Sequence, residues 1–446
     1  MSERIQPARG TRDFLPEDIR RREYVVRIIR EVYESYGFEP LETPAIENLE
    51  TLLGKYGEEG NQLIFKILKR GEKLREALQA EEIKENELAD LALRYDLTVP
   101  FARVIANYSD KLPKFFKRYQ IQPVWRADRP AHGRFREFYQ CDLDAIGSRS
   151  PLVEAEIFQV IRDVLEKLGF SDFEIRLNHR EVLREVVARV GIPQEKQLDA
   201  IIAIDKLDKV GYEGVLLEML KKGISNASAE RLLGFLRSCS QKEDNVEILA
   251  SVKDFIGEKG EGLKNLEEIL KLNDVEQLKL DVSLARGLDY YTGAIMEVSV
   301  GDLKSSIGGG GRYDNLIGMF SRTPIPACGF SLGLERILVV MQQRRLFPDD
   351  ATTSNIDVMV TVWSEHLMKQ SLQLASELRS QGVRVLVYPQ IDKLGKQLRY
   401  ASQIGARLVC ILGENEIAEG KVSIKNLLTG IQEIVNRDEL KEKLAV

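Results

Sequence analysis

The chain has 446 residues, of which 30% are charged and 43% hydrophobic, and its formal net charge is −6. These values are ordinary for a globular protein of two or three domains. No run of about 18 apolar residues occurs, so the sequence predicts no membrane span, and the N-terminus lacks the apolar stretch of a secretory signal. The small negative charge neither indicates nor excludes nucleic-acid binding, which depends on a local basic patch.

Cysteines and histidines are few and scattered. The four cysteines show no CxxC spacing, which favours reduced thiols in a cytoplasmic protein. The three histidines, His132, His179 and His366, are isolated. We therefore expect no metal site built from protein side chains.

The first predicted helix begins at Pro16, with acidic residues in its first turn, and ends before Gly37. Residues 38–47 predict a strand near a sheet edge or a subunit interface, because Pro44 lies near its end. Residues 58–90 are charged and helix-prone, which indicates a solvated connection. Residues 91–107 predict a strand followed by a helix, with Thr98 as its N-cap.

Residues 119–146 predict two strands joined by a loop. On the second strand, period-two alternation places five side chains on one face: Arg136, Phe138, Gln140, Asp142 and Asp144. The first strand likewise alternates polar residues, from Gln120 to Arg126, with mostly apolar ones. Two interpretations remain open at this point: a face that binds a charged, planar ligand, or an amphipathic hairpin with a solvated face.

The following segments predict a helix over 151–169, several short helices from about 180 to 275, and a strand–loop–strand unit over 280–300. The glycine run 308–311 favours either close backbone approach or a tight turn, and it lacks the pattern of a phosphate-binding loop. A strand then precedes a helix with Arg336 in its first turn. Because an arginine there opposes the helix dipole, it indicates an anionic ligand or a salt bridge with Glu335 or another acid.

After a linker-like break at 352–355, the pattern alternates strand and helix as βαβαβ, which predicts a compact domain with a mainly parallel sheet. Before that break, arginines occur in three separate elements: the hairpin, the loop that holds Arg286 and the helix that holds Arg336. Arginine suits phosphate because its guanidinium group stays charged at any useful pH. Arginines that converge can stabilise the charge that develops on an α-phosphate, and Phe138 can stack on an adenine ring. Together with nearby acids and hydroxyls, these residues suggest adenylation of an amino acid.

The chain resembles class II histidyl-tRNA synthetases over almost its whole length. Three class II motifs are similar to residues 16–44, to VWRAD and RFREF around the hairpin loop, and to GFSLGLER; RGLDYYTG at 286–293 and SIGGGGRYD at 306–314 resemble histidine-specific motifs. The resemblance implies an α/β fold in which an α+β catalytic domain holds an antiparallel sheet flanked by helices. The implied segments are a first catalytic part (1–178), a helical insertion (179–276), a second catalytic part (277–350) and a βαβαβ anticodon-binding domain (354–446).

The resemblance also implies a role for individual residues. Arg126 and Arg286 would be catalytic and hold the α-phosphate of ATP from opposite sides. The other ATP-binding residues would be Asp128, Arg136, Phe138 and Arg336. Histidine would be held at its ammonium group by Asp96, Thr98 and Gln140 and at its ring by Asp144 and Tyr291, with Tyr290 lining the pocket. Asp128 and Asp144 are departures, since the class and many bacterial relatives respectively have glutamate there.

The implied activity is ATP-dependent ligation of L-histidine to its cognate tRNA through histidyl-adenylate, with release of pyrophosphate and AMP. It implies Mg²⁺ with the ATP, contacts to the acceptor end and anticodon of the tRNA, and a cytoplasmic homodimer without membrane attachment. The alternative is a synthetase-like regulatory subunit of histidine biosynthesis without ligase activity. That relative lacks the anticodon-binding tail, whereas this chain has both the tail and RGLDYYTG. A synthetase-like nucleic-acid sensor module is a further alternative, but no kinase motifs flank the chain.

Overall fold

The structure is a computed structural model that describes residues 5–79, 83–285, 290–303, 306–321, 323–351 and 356–443. The chain forms two compact units, one of residues 1–13 and 22–346 and the other of residues 14–21 and 347–446. Within the described ranges, no helix is both long and apolar enough to cross a membrane.

An eight-stranded sheet organises the larger unit. The strands of this unit are β1 (Glu39–Pro40), β2 (Ile46–Asn48), β3 (Lys66–Leu68), β4 (Ala89–Leu93), β5 (Phe116–Trp125), β6 (Glu137–Ile146), β7 (Phe173–His179), β8 (Leu278–Leu280), β9 (Ala294–Val300), β10 (Gly308–Arg312) and β11 (Ala327–Gly333). The large sheet has the order β1-β5-β6-β11-β10-β9-β7-β8, and β2-β4-β3 form a second sheet. In the large sheet the two outermost pairs, β1–β5 and β7–β8, are parallel and the inner pairs are antiparallel. The predicted antiparallel sheet is confirmed.

Helices flank these strands. They are α1 (Pro16–Ser35), α2 (Leu49–Leu52), α3 (Gly57–Gln62), α4 (Glu72–Leu78), α5 (Thr98–Tyr108), α6 (Leu152–Lys167), α7 (Arg180–Arg189), α8 (Gln197–Ile204), α9 (Leu207–Lys221), α10 (Asn226–Ser240), α11 (Asn245–Ile256), α12 (Glu261–Lys271) and α13 (Leu334–Arg344). Helix α1 begins at Pro16 as predicted, and its apolar face is buried at Val25, Ile29 and Val32. The chain leaves it through Gly37, whose φ of 76° suits glycine.

The run of helices α7–α12 lies between β7 and β8, which are parallel neighbours at one end of the sheet. These helices occupy the region that the sequence predicted as all-helical. The division of the chain into four functional segments stays a prediction.

Two predicted segments differ from the structure. The strand predicted over 38–47 is split into β1 and β2, which belong to different sheets, and the residues between them include Pro44. The connection predicted over 58–90 contains β3, which pairs with β4. A strand of three residues is too short for its alternation to stand out in a charged segment.

The smaller unit has a five-stranded sheet. Its strands are β12 (Val358–Val360), β13 (Val385–Val387), β14 (Leu408–Ile411), β15 (Lys421–Asn426) and β16 (Gln432–Asn436), in the order β13-β12-β14-β15-β16. Its helices are α14 (Met368–Ser380), α15 (Leu394–Gln403), α16 (Glu414–Ala418) and α17 (Leu440–Lys443). The first three strands are parallel, which confirms the βαβαβ prediction, and β15 and β16 add an antiparallel hairpin that the sequence had not indicated.

Candidate active site

One cleft in the larger unit is lined by residues of the neighbouring strands β6, β11 and β10. Ten of the residues proposed from the sequence line it: Asp96, Thr98, Arg126, Asp128, Phe138, Gln140, Asp144, Tyr290, Tyr291 and Arg336. Four of the five side chains that alternation placed on one face of the second hairpin strand, Phe138, Gln140, Asp142 and Asp144, are among the lining residues. This face of the hairpin is therefore largely buried along a cleft and is not a solvated face.

The glycine run forms strand β10 and not a tight turn. A Cβ atom at Gly310 would lie 2.1 Å from the carbonyl oxygen of Gly329 on β11, and one at Gly308 would lie 2.7 Å from Cε1 of Phe330. A Cβ atom at Gly329 would lie 1.9 Å from Oδ1 of Asp144. These strands therefore approach each other, and the Asp144 side chain, at distances that only glycine permits.

Asp96 lies at the turn between β4 and α5 and is buried. Its Oδ1 accepts hydrogen bonds from the Tyr56 hydroxyl and the Val99 N–H, each at 3.0 Å, and its Oδ2 accepts one from the Tyr290 hydroxyl at 3.4 Å. Burial raises the pKa of Asp96, and its hydrogen bonds and nearby arginines oppose that rise. The prediction of Thr98 as N-cap is wrong, because Thr98 is already the first helical residue and the Asp96 carboxylate caps the helix.

Asp144 is held by two residues that the sequence analysis did not identify. The fully buried Arg118 on β5 forms an ion pair with its Oδ2 at 2.7 Å, and the Tyr313 hydroxyl donates to its Oδ1. Arg118 and Asp144 are direct cross-strand partners in the β5–β6 register. The signal was present, because Arg118 extends the alternation of Gln120 and Gln122 by one step.

Gln140 contributes an open acceptor to the cleft. Its Nε2 donates to the Ser331 hydroxyl at 2.8 Å, while its Oε1 is buried and has no hydrogen-bond partner among the described residues. A buried acceptor without a donor is costly. A ligand with an N–H group would satisfy it.

Arg126 lines the same cleft, next to two aromatic rings. Its Nε donates to the carbonyl oxygen of Tyr95 at 3.0 Å, and its guanidinium lies 4.3 Å from the Tyr95 ring centroid and 5.3 Å from that of Phe138. Arg336, at the start of α13, donates to the carbonyl oxygen of Ser306. The cleft thus combines guanidinium groups with an aromatic ring.

The loop that joins β5 and β6 is held by its own side chains. The Asp128 carboxylate accepts from Arg134 at 2.7 Å, and its backbone carbonyl accepts from Nε of Arg136 at 3.0 Å. Arg136 is a described residue that does not line the cleft and lies one residue before β6. The Glu335 carboxylate accepts from the backbone N–H of Tyr139 at 3.0 Å, and burial raises its pKa to about 7.

The N-terminal segment also touches this loop, a contact that the sequence did not indicate. The carbonyl oxygen of Gly10 accepts from the backbone N–H of Arg136 at 2.8 Å. Gly10 has a φ of 86°, and a Cβ atom there would lie 2.8 Å from Cγ of Arg136. The Arg12 guanidinium lies 4.5 Å from the ring centroid of Phe135, which lines the cleft.

Some predictions lie outside what the structure describes. Arg286, predicted as catalytic, falls in the undescribed range 286–289.

The residues that follow this range are described. Tyr291 is buried, with its ring centroid 4.9 Å from that of Tyr290. In the described part of the chain, no group of three or more His, Cys, Asp or Glu side chains is placed to hold a metal ion.

The larger unit thus has a mainly antiparallel sheet and a cleft lined by arginines, an aromatic ring and buried carboxylates. This is the arrangement that the class II aminoacyl-tRNA synthetase motifs of the sequence led us to expect. The sequence family described as histidyl-tRNA synthetase matches residues 10–337, and the one described as anticodon binding domain matches residues 357–446. The chain belongs to the histidyl-tRNA synthetase family.

Individual proteins agree with this assignment. The chain is 44% identical over 444 residues to a histidine–tRNA ligase of Porphyromonas gingivalis, with 96% of each chain covered. It is 39% identical to a histidine–tRNA ligase of Gloeobacter violaceus, with 95% of each covered. The crystal structure of histidyl-tRNA synthetase from Nostoc sp. PCC 7120 matches with a TM-score of 0.79 and 31% identity over 99% of this chain and 98% of that one.

A structure from Bacillus halodurans, described as an ATP phosphoribosyltransferase regulatory subunit/histidyl-tRNA synthetase, has a TM-score of 0.70 and 21% identity over 92% of this chain and 99% of that one. At that identity the likeness concerns the fold alone. The alternative of a regulatory subunit is therefore less supported than the ligase.

Proposed function

We propose that this protein ligates L-histidine to its cognate tRNA in two steps. The histidine carboxylate attacks the α-phosphate of ATP, which gives histidyl-adenylate and pyrophosphate, and the terminal ribose of the tRNA then takes the histidyl group and releases AMP. The observation that carries the proposal is that one cleft is lined by Arg126, by Phe138, whose ring centroid lies 5.3 Å from the Arg126 guanidinium, and by Gln140 with its unpartnered Oε1.

The ATP half of the site would be built from Arg126, Arg286 and Arg336, which are the residues proposed for the phosphates. Preset guanidinium groups stabilise the negative charge that develops on the phosphoryl oxygens without having to reorganise. Arg136 would reach the phosphates from the hairpin loop, where its Nε now donates to Asp128. The Phe138 ring would stack on adenine.

The histidine half would use the buried polar groups. Asp96, Thr98 and the unpartnered Oε1 of Gln140 are proposed for the ammonium group. Asp144, Tyr290 and Tyr291 are proposed for the ring and its pocket. Amino acids that lack a matching ring N–H would leave buried polar atoms unpaired, which gives strong discrimination.

Mg²⁺ is proposed to accompany ATP. Mg²⁺ is commonly held by one or two carboxylates together with phosphate oxygens and water, and Glu335 is a carboxylate on the wall of the cleft. Both oxygens of Glu335 already face the Tyr139 N–H, so phosphate oxygens would supply most ligands. The ion would neutralise charge on the phosphates.

We further propose a cytoplasmic homodimer, in which α1 and β1 contribute to the dimer interface and residues 354–446 recognise the anticodon. The loop between β5 and β6 would receive the acceptor end of the tRNA. Residues 179–276 would form an insertion separate from the catalytic sheet.

Pyrophosphate exchange tests the proposal most directly. Labelled pyrophosphate should enter ATP in the presence of histidine and of no other proteinogenic amino acid. If histidine supports no exchange, the ligase proposal fails and the regulatory-subunit alternative takes its place.

A further inference from the structure

Asp142 lies on the floor of the cleft between Gln140 and Asp144, and it is not among the residues proposed to bind histidine or ATP. It is 2% exposed and lines the cleft. In the sheet it pairs with Gln120 on β5 and with Ser331 on β11, so it occupies the middle of the β6 face.

The two carboxylates of this face differ in what surrounds them. The Tyr313 hydroxyl donates to Oδ1 of Asp144, and Oδ2 of Asp144, which has no hydrogen bond of good geometry within the described ranges, forms an ion pair with Arg118 at 2.7 Å. By contrast, Oδ1 of Asp142 is buried and has no hydrogen-bond partner among the described residues. The open acceptor on this part of the floor therefore belongs to Asp142.

The local charge also favours a donor ligand. The charge of Arg118 acts on both carboxylates, so the two acids share this cation when both are ionised. Burial raises the pKa of Asp142 to about 7, against the opposing charge of Arg118. The other titratable or polar groups that act on Asp142 or feel its charge are Asp96, Asp144, Ser331, Arg94, Tyr33 and Cys141.

We propose that Asp142 is a further specificity-determining residue, whose Oδ1 accepts a hydrogen bond from an N–H of the imidazole ring of bound histidine. This inference rests on the proposed function. The ammonium group already has acceptors in Asp96 and Gln140, and Asp142 lies one step further along the strand, next to Asp144. The ring would thus face two carboxylates, of which Asp142 has the vacant oxygen.

A ring N–H donor from bound histidine would account for a charged residue at this buried position. An unpaired carboxylate oxygen is costly in the free protein, and a ring N–H would remove that cost on binding. A hydrogen bond to a charged acceptor is stronger than one between neutral groups. Asp142 would therefore favour the binding of histidine over that of amino acids without a ring N–H.

The test compares Asp142→Asn with wild type in histidine-dependent pyrophosphate exchange. The matched control is Cys141→Ala, because Cys141 is the next residue of β6, is buried, and is not among the residues that line the cleft. Asp142→Asn should raise KM for histidine about 10- to 100-fold, the range expected for a hydrogen bond to a charged group. KM for ATP should change less than about twofold, and Cys141→Ala should leave both constants near wild type.

Imidazolepropionate has the ring but no ammonium group. It therefore distinguishes a contact of Asp142 with the imidazole ring from a contact with the ammonium group. Its competitive inhibition constant against histidine should rise in Asp142→Asn by the same factor as KM. Asp142→Ser provides a smaller uncharged side chain if the asparagine variant does not fold, as judged by thermal unfolding. The inference is overturned if the folded variant matches Cys141→Ala, or if only histidine and not imidazolepropionate binds more weakly. Absence of exchange in wild type would instead reject the proposed function.

Discussion

Gly10→Ala should impair ATP use although Gly10 lies more than 100 residues before the hairpin loop that it contacts. The added Cβ atom would lie 2.8 and 2.9 Å from Cγ and Cδ of Arg136 and 3.0 Å from Cγ of Pro130. Such distances are shorter than van der Waals contact, so the Arg136 side chain or the N-terminal segment must move. Either movement disturbs the hydrogen bond from Arg136 to the Gly10 carbonyl oxygen.

Gly37→Ala is a matched control for the free-energy cost of placing alanine at a positive φ. Both glycines have positive φ, 86° at Gly10 and 76° at Gly37, but a Cβ atom at Gly37 meets nothing within 4 Å. Alanine in a left-handed conformation costs about 1–2 kcal/mol at either position. Only at Gly10 is a proposed phosphate-binding side chain also displaced, and a misplacement of about 1 Å can cost about 100-fold in rate.

The assay is pyrophosphate exchange with ATP varied at saturating histidine, alongside thermal unfolding. We expect kcat/KM for ATP to fall about 10- to 100-fold in Gly10→Ala and less than about twofold in Gly37→Ala, with similar losses of stability. KM for histidine should stay near wild type in both. Equal kinetic constants for the two variants would refute the positioning of Arg136 by the N-terminal segment.

Three further predictions concern buried or proposed catalytic groups. Arg118→Met should destabilise the fold by about 3–5 kcal/mol in urea unfolding, because it leaves the Asp144 carboxylate buried without its cation; Arg118→Met combined with Asp144→Asn should recover much of that loss, and a single variant as stable as wild type would contradict the pairing. Arg286→Ala should slow adenylation about 10²–10³-fold with unchanged thermal unfolding, whereas near-normal exchange would remove Arg286 from the mechanism. Burial, followed by the charge of Arg312, lowers the pKa of His179 to about 4, so the unfolded chain binds this proton first and stability should fall by up to about 3 kcal/mol as pH drops from about 6.5 to about 4; His179→Asn should lack this slope, and parallel stability curves would exclude it.

The sequence predicted the cleft face of β6 because alternation is a local property of a strand. It did not predict which of these side chains are occupied by protein partners. Asp144 is paired with Arg118, and that pairing depends on the register of two strands whose residues are 26 positions apart. The register between two strands depends on the loop that joins them and on the packing of both sheet faces. The alternation pattern of a single strand contains no information about either.

The first hairpin strand shows the opposite outcome, since its polar residues are used largely inside the fold. Nε2 of Gln120 donates to the Thr43 hydroxyl at 2.9 Å, and Oε1 of Gln122 accepts from Arg94 at 2.8 Å. The first contact joins the strand to the segment between β1 and β2, and the second joins it to the turn between β4 and α5. A buried amide needs partners, which can come from a ligand or from the protein. The polarity of this strand therefore did not show that its side chains are paired within the fold.

The all-glycine run of β10 carries a thermodynamic consequence. Each glycine in a strand costs about 0.5–1 kcal/mol relative to alanine, because the unfolded chain loses more conformational freedom. The run Gly308–Gly311 therefore sacrifices roughly 2–4 kcal/mol of folding free energy, a large share of the 5–15 kcal/mol typical of native domains. Alanine could not recover that stability, since at Gly310 and Gly311 its Cβ atom would lie 2.1 and 2.5 Å from backbone oxygens. At these two positions of β10, the close approach of the neighbouring strands therefore excludes the stability that alanine would otherwise add.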